Sequence, residues 1–349
     1  MLLIEEINNI DDLQKIETEW NDLFLDSKDC SVFQGYDFNK IWFLIYGQEL
    51  SLHIVSVKDG ATNKCVAIFP FYFKKQNAFR RIHFIGDSWF DYTMILATVS
   101  PDVLVSELSN YFYKLRGWDF IYFNSFIAES ATAKFLDLFQ NKKFIVNRSS
   151  VASAPIINLD CTWESYYQSI KTRIKQDTNR QIKRLGELGS LELREIAEHE
   201  IGENLENFFR MYVERWKSVD KISKFENKLN REFIKQICQS AHGKKQLAFH
   251  KLMLDKKVLA YHLGFKDSYT FYYYIPVFNP EYGQFSVGRI LLMKLLKLCI
   301  DESIRNFDLM AGDEKYKSDF ANGSKSIERA YIFKKNLKGR ILYYFQSHK

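Results

Sequence analysis

The feature of this sequence that most restricts its fold is an order of elements that occurs twice. In the first half, LHIVSV, a turn, CVAIFPFYF, further apolar strands, a helical stretch at 101–116 and WDFIYF follow one another. In the second half the order is LAFHKLML, a turn, VLAYHLGF, YTFYYYI, a helical stretch at 286–302 and RNFDLM. Short runs rich in β-branched and aromatic residues read as strands, and apolar residues at three- and four-residue steps read as helices. A strand-strand-strand-helix-strand plan used twice, with a period far above that of solenoid repeats, predicts a mixed α/β chain of two tandem lobes. Each lobe is expected to be a mixed sheet flanked by helices. The 349 residues are enough for two domains at the usual ~150 residues each. The boundary is placed after KFIVNRSSVASAPIINL, giving lobes 1–159 and 160–349.

Within this plan, 11–25 and 37–46 read as helices, RIHFIG and YTMILA as strands, and 161–188 as one long helix with basic residues on its outer faces. Helices at 200–217 and 229–241 precede the second meander, and FDLMAG reads as the last core strand, breaking into a polar turn, DEKYK. Clustered polar groups after a core strand mark the place where α/β proteins tend to carry chemistry.

The charge balance, 49 basic and 43 acidic residues for a net +6, admits a phosphate-bearing ligand but argues against a nucleic-acid coat and against DNA as partner. Five cysteines stand singly, never in CxxC spacing, so neither a disulfide framework nor a metal site is expected, and a reducing cytoplasm is the simplest compartment. MLLIEEINNIDDLQ lacks the basic start of a signal peptide, and no apolar run reaches the ~18 residues of a membrane span.

Two stretches carry candidate chemistry. In YGQFSVGRILL, residues Gly283, Ser286, Val287 and Gly288 lead into a helix whose free N–H groups and positive dipole end suit pyrophosphate oxygens, and Arg289 adds a charge. The alternative reading is that Ser286 simply caps that helix with its side chain. In DEKYK, Asp313 and Glu314 face opposite ways if extended, so one of them, with Glu314 placed first, is the candidate base. Asp91 in WFDYT and His262 on a strand are the alternatives. Among the cations of the long basic helix, Arg180 and Arg184 are singled out because arginine forks match phosphate geometry.

The segments YYYIPVFNPEYGQFSVGRILLMKLL, FDLMAGDEKYKSDF and KTRIKQDTNRQIKRLGEL followed by MYVERW, with weaker echoes in VFQGYDFNKIW and IGDSWFDYTMILA, together resemble a known family. They are similar to the two-lobed relatives of GNAT acyltransferases, the CelD-type acetyltransferases of cellulose biosynthesis, kin to the Fem peptidoglycan aminoacyltransferases. The resemblance covers most of the chain and rests on the order and spacing of these segments. It implies tandem GNAT-like lobes, the second catalytic, and acyl transfer from acetyl-CoA or another acyl-CoA, without a metal, to an amine or hydroxyl of a sugar, amino sugar or other glycan precursor. The 283–289 loop would then hold the pyrophosphate, although GQFSVGR is not the full Q/R-x-x-G-x-G/A pattern. Strand residues Tyr272 to Tyr274 or a lysine would polarise the thioester, Tyr316 would supply an acid, and Lys317 would contact substrate. Asp91, Tyr92, Arg180, Arg184 and Tyr273 would line the substrate site. A Fem-like enzyme using aminoacyl-tRNA, or a degenerate lobe pair that binds a ligand without turnover, are the alternatives.

Overall fold

The computed structural model describes residues 1–27, 30–87 and 89–347. The chain divides into two compact units, 1–152 with 325–349, and 153–324. The expected boundary at 159 is displaced because a single strand, Phe144–Asn158, runs through it: its first residues belong to one unit and its last to the other. The C-terminal segment, expected in the second lobe, groups with the first.

The first unit opens with β1 (Leu2–Ile7), α1 (Ile10–Lys15), α2 (Glu17–Asp26) and α3 (Tyr36–Tyr46). The helix expected over 11–25 is thus two helices, parted at Ile16. A meander of β2 (Ser51–Asp59), β3 (Cys65–Gln76) and β4 (Phe79–Phe84) follows, with β5 (Leu96–Ala97) all that YTMILA contributes as strand. Helix α4 (Pro101–Lys114) then carries the chain to β6 (Phe120–Ile127), parallel to β4, and α5 (Ala131–Phe139) leads into β7 (Phe144–Asn158). Rings from β3, β4, β6 and α4 fill the core, with Phe71 against Phe84 at 4.7 Å and Phe84 against Phe123 at 4.9 Å.

The second unit begins with α6 (Trp163–Ser169) and α7 (Thr172–Gly186), which replace the single long helix expected there. Ile170, buried and extended (φ −65°, ψ 137°), breaks the helix by turning its side chain into the core. Strand β8 (Leu191–Glu195), helices α8 (Ile201–Lys217) and α9 (Lys228–Gly243), and the meander β9 (Leu247–Leu254), β10 (Lys257–Lys266) and β11 (Thr270–Phe278) come next. Helix α10 (Val287–Asp301) crosses to β12 (Asn306–Asp308), parallel to β11. Helix α11 (Lys315–Phe320) and the start of β13 (Gly323–Lys334) close the unit, and α12 (Leu337–Ser347) lies in the first. The repeated plan is therefore real in pairing as well as order: β2–β3–β4, α4, β6 and β9–β10–β11, α10, β12.

Alternation along β9 to β11 assigns the two faces of the second sheet. Phe249 and Tyr261 pack with Phe208 of α8, while Ala248, Ala260, Phe271 and Tyr273 join the cluster built around α10. Helix α10 is apolar nearly all round, as a helix enclosed by its own unit must be. Two histidines, His250 and His262, lie buried across from one another on β9 and β10. His262 is stacked on Tyr273 at 4.9 Å and on Phe271 at 5.0 Å, and neither of its ring nitrogens has a hydrogen-bond partner. A β-bulge at Gly264 makes the room, since a Cβ there would sit 2.5 Å from the His262 ring.

Burial pushes His250 down to about 4 and His262 well below its ordinary value, with the neighbouring His250 adding to the second effect. Both are neutral in the fold, while in the unfolded chain they take up protons below about pH 6.5. Stability is therefore complete above that pH and is lost as pH falls toward the folded values. At ~1.4 kcal/mol per pH unit for one proton, His250 alone accounts for about 3 kcal/mol of the loss. The thermal midpoint should fall steeply from pH 7 to 5, and His262→Phe should flatten that slope in a scanning-fluorimetry series; an unchanged slope would refute the assignment.

Candidate functional site

The site grows out of how little β11 and β12 share. Their parallel register is Thr270 with Asn306, Phe271 with Phe307 and Tyr272 with Asp308, and β12 ends there. Strand β11 runs on to Phe278, paired on its other side with β10. Beyond Tyr272 the edge of β11 away from β10 has no ladder with β12. Such an edge presents main-chain donors and acceptors to a ligand at the carboxyl end of parallel strands.

The same end holds the start of α10. After β11, Asn279 caps a tight helical turn, Pro280–Phe285, by accepting from the Glu281 N–H at 3.0 Å. Ser286 follows in the left-handed region (φ 52°, ψ 41°), uncommon for a residue with a Cβ. Its side chain makes no cap bond, so the capping role open in the sequence is not taken. The first-turn N–H groups of Arg289 and Ile290 bond to the Ser286 carbonyl at 2.9 and 3.2 Å. Those of Val287 and Gly288, which begin the helix, stand ahead of its i→i−4 ladder. A right-handed turn followed by a left-handed residue also directs successive N–H groups toward a common point suited to an anion. A Cβ at Gly283 or Gly288 would meet only the Phe278 ring, at 3.7 and 3.5 Å, which is ordinary contact. Packing does not require glycine at either position, so the benefit of a bare backbone lies on the open side.

Helix α7 supplies the cations. Asp177 accepts from Arg289 Nη1 at 2.5 Å and also pairs with Arg180, so its carboxyl is held below the usual range chiefly by the Arg289 bond. Arg184 donates to Gln181 Oε1 at 2.9 Å and lies over the Phe285 ring at 4.8 Å. The two arginines chosen from the sequence are thus brought beside the loop chosen from the sequence. Arg289 is not a free cation but one half of a tie between α7 and α10.

After β12 the chain folds over Lys317. Asp308, fully buried, accepts the Met310 N–H at 2.8 Å, and Met310 is left-handed (φ 62°). Lys317 is buried and donates to the carbonyls of Ala311 (2.9 Å) and Met310 (3.4 Å) while pairing with Glu314 Oε2 at 2.9 Å. With its three N–H donors engaged, Lys317 tethers the loop, where the resemblance implied contact with substrate. Three of the five residues of the expected turn are helical: Glu314 stands at the N-cap and Lys315 to Phe320 form α11. Asp313 and Glu314 are exposed. Burial, with the Glu314 charge second, raises the Tyr316 phenol, which stays protonated. Tyr273 is fully buried and raised in the same way, with Tyr316 the further cause. His262, the alternative base, is enclosed in the core. Asp91 and Tyr92 belong to the first unit, where Tyr92 is fully buried with Lys325 over its ring at 5.6 Å. Asp308 was missed in the sequence, although an acid inside the apolar run FDLM was its signal.

The matching end of the first unit is built differently. Helix α4 starts at Pro101, which has no N–H, and carries Asp102 in its first turn. Both features disfavour an anion there. At the end of β4, His83 Nδ1 lies 2.7 Å from Asp87 Oδ2, and Tyr72 donates to Asp87 Oδ1 at 3.0 Å.

Residues 172–318 match the family model of the acetyltransferase (GNAT) domain. The chain carries a GNAT-fold acetyltransferase domain. Among solved structures, FemX is similar over 98% of this chain and 99% of its own at 10% identity, with a TM-score of 0.66. A conserved protein of unknown function from Bacteroides thetaiotaomicron is similar over 95% and 99% at 12% identity and a TM-score of 0.55. A tandem GNAT protein from the clavulanic acid biosynthesis pathway is similar over 94% and 98% at 10% identity and a TM-score of 0.51. No curated protein matches the chain by sequence. At these identities the likeness is one of fold: two tandem GNAT-like lobes, each a mixed sheet with helices.

The Lys317 tether is directly testable. Gly312, at φ 142°, sits where a Cβ would fall 2.2 Å from Glu314 Oε2 and 2.7 Å from Lys317 Nζ. Gly312→Ala and Lys317→Ala should each lower the unfolding free energy by about 1–3 kcal/mol in urea titrations. Wild-type midpoints for both would refute the tether.

Proposed function

We propose that the protein transfers an acyl group from acyl-CoA to an amine or hydroxyl of a sugar, amino sugar or similar polar acceptor, as a CelD-type member of the GNAT superfamily acting in envelope or polysaccharide metabolism. The observation that carries this reading is the uncapped start of α10, flanked by Arg180, Arg184 and Arg289, beside the stretch of β11 that runs on past its ladder with β12. Donor pyrophosphate would lie on the Val287 and Gly288 N–H groups, and the thioester arm along β11, where main-chain N–H groups would stabilise the oxyanion. The acceptor attacks the thioester carbonyl and gives its proton to Glu314 or Asp313. As the C–S bond breaks, the thiolate takes a proton from Tyr316, whose phenol is protonated but, raised by burial, is a weaker acid than an exposed tyrosine. Asp308 and Lys317 hold the loop that carries these groups. Cysteines scattered singly along the chain, with no CxxC spacing, support a cytoplasmic setting. The fold shared with FemX motivates the second reading, an aminoacyl-tRNA donor.

Isothermal titration with acetyl-CoA and with desulfo-CoA separates the two. Both should bind wild-type protein, and Gly288→Asp, which places a carboxylate at the helix start, should weaken binding at least about tenfold with an unchanged melting temperature. Arg289→Ala should weaken it as well. No binding by wild type at low salt would overturn the acyl-CoA reading, and a gel shift with aminoacyl-tRNA would then test the other donor.

A further inference from the structure

Residues 329–349 contain six lysines and arginines and no acid, as many charges as the net +6 of the whole chain. The remainder of the protein carries as many basic as acidic residues, so the net charge of the chain equals that of this segment. This segment ends β13 and forms α12, which docks by one side alone: Gly339 is buried, with its Cα so close to the Lys334 carbonyl that a Cβ would fall 1.9 Å from it. Tyr343 meets the Phe333 ring at 6.1 Å, and Ser347 accepts from Asn147 at 3.3 Å.

At about 100° per residue, Leu337, Ile341, Tyr344 and Phe345 fall on the opposite side of the helix. They are 78%, 48%, 60% and 63% exposed. Arg340 borders this stripe on one flank and Lys338 on the other, and Lys335 lies just before the helix. Lys338 pairs with Asp119; Lys335 and Arg340 are exposed. An apolar, aromatic-rich stripe with a basic margin is the pattern of a helix that lies in a membrane interface. Helix α12 spans Leu337–Ser347, and no helix of the described residues is long and apolar enough to cross a membrane.

We propose that α12 docks the protein on the surface of an anionic lipid bilayer, with Leu337, Ile341, Tyr344 and Phe345 entering the interface and Lys335 and Arg340 meeting lipid phosphates. Charge complementarity selects this occupant. A second copy laid on the stripe would set two acid-free basic segments against each other, whereas an anionic leaflet attracts both margins. The inference stands independently of the donor and acceptor of the second unit.

Sedimentation of the full chain with lipid vesicles tests it. The protein should pellet with phosphatidylcholine–phosphatidylglycerol vesicles, not with phosphatidylcholine alone, and added salt should release it. Ile341→Asp with Phe345→Asp, and separately Lys335→Glu with Arg340→Glu, should each reduce the bound fraction at least about tenfold, with wild-type circular dichroism and melting temperature because these side chains face outward. Wild-type protein that stays in the supernatant, or both variants binding like wild type, would overturn the proposal. So would a dimer in light scattering that the stripe variant dissociates, which assigns the face to a second copy.

Discussion

The second unit is organised by a pairing that stops early. Three residues of β12 run beside Thr270–Tyr272, after which β11 continues without that partner. A parallel pair needs a crossover, and here it is α10, whose start is thereby fixed at the end where the strands part. The dipole and first-turn N–H groups of α10 and the part of β11 beyond its ladder with β12 therefore converge through backbone geometry alone. Side chains refine the result: Asp177 ties α7 to α10 through Arg289, and Lys317 gathers the loop after β12.

The first unit repeats the topology with a different helix start. Strand β6 pairs with β4 over three residues as well, from Arg81 with Phe120 to His83 with Tyr122. Its crossover helix starts with proline and an aspartate where α10 starts with valine and glycine. The space at the end of β4 is occupied by the hydrogen bonds among His83, Asp87 and Tyr72. The two units thus share an architecture and differ at the start of the crossover helix.

Much of this was legible because burial imposes periodicity. The doubled strand and helix order, the 283–289 loop and the arginines of α7 all announce themselves through spacing and residue type. Other features were not local. Nothing near Lys317 says that its amine will turn inward to two carbonyls, because those carbonyls are presented by the left-handed turn at Met310 and by Gly312 beside it. Ile170 interrupts a run with good helical spacing because the core of the second unit captures its side chain. The return of 325–349 to the first unit depends on pairing between β13 and β6, partners separated by some two hundred positions.

The sequence by itself determined the mixed α/β class, the two-fold plan and the residue types gathered at α10, since apolar period and turn chemistry are properties of short stretches. Tertiary structure alone decided which groups are engaged and which are available. Arg289 became a strut, Lys317 a tether, His262 a neutral core ring and α12 a helix with one side left uncovered. The physical reason is that charge and hydrogen bonding are satisfied by whatever the fold brings within about 3 Å, and that proximity is fixed by packing between segments far apart in the chain.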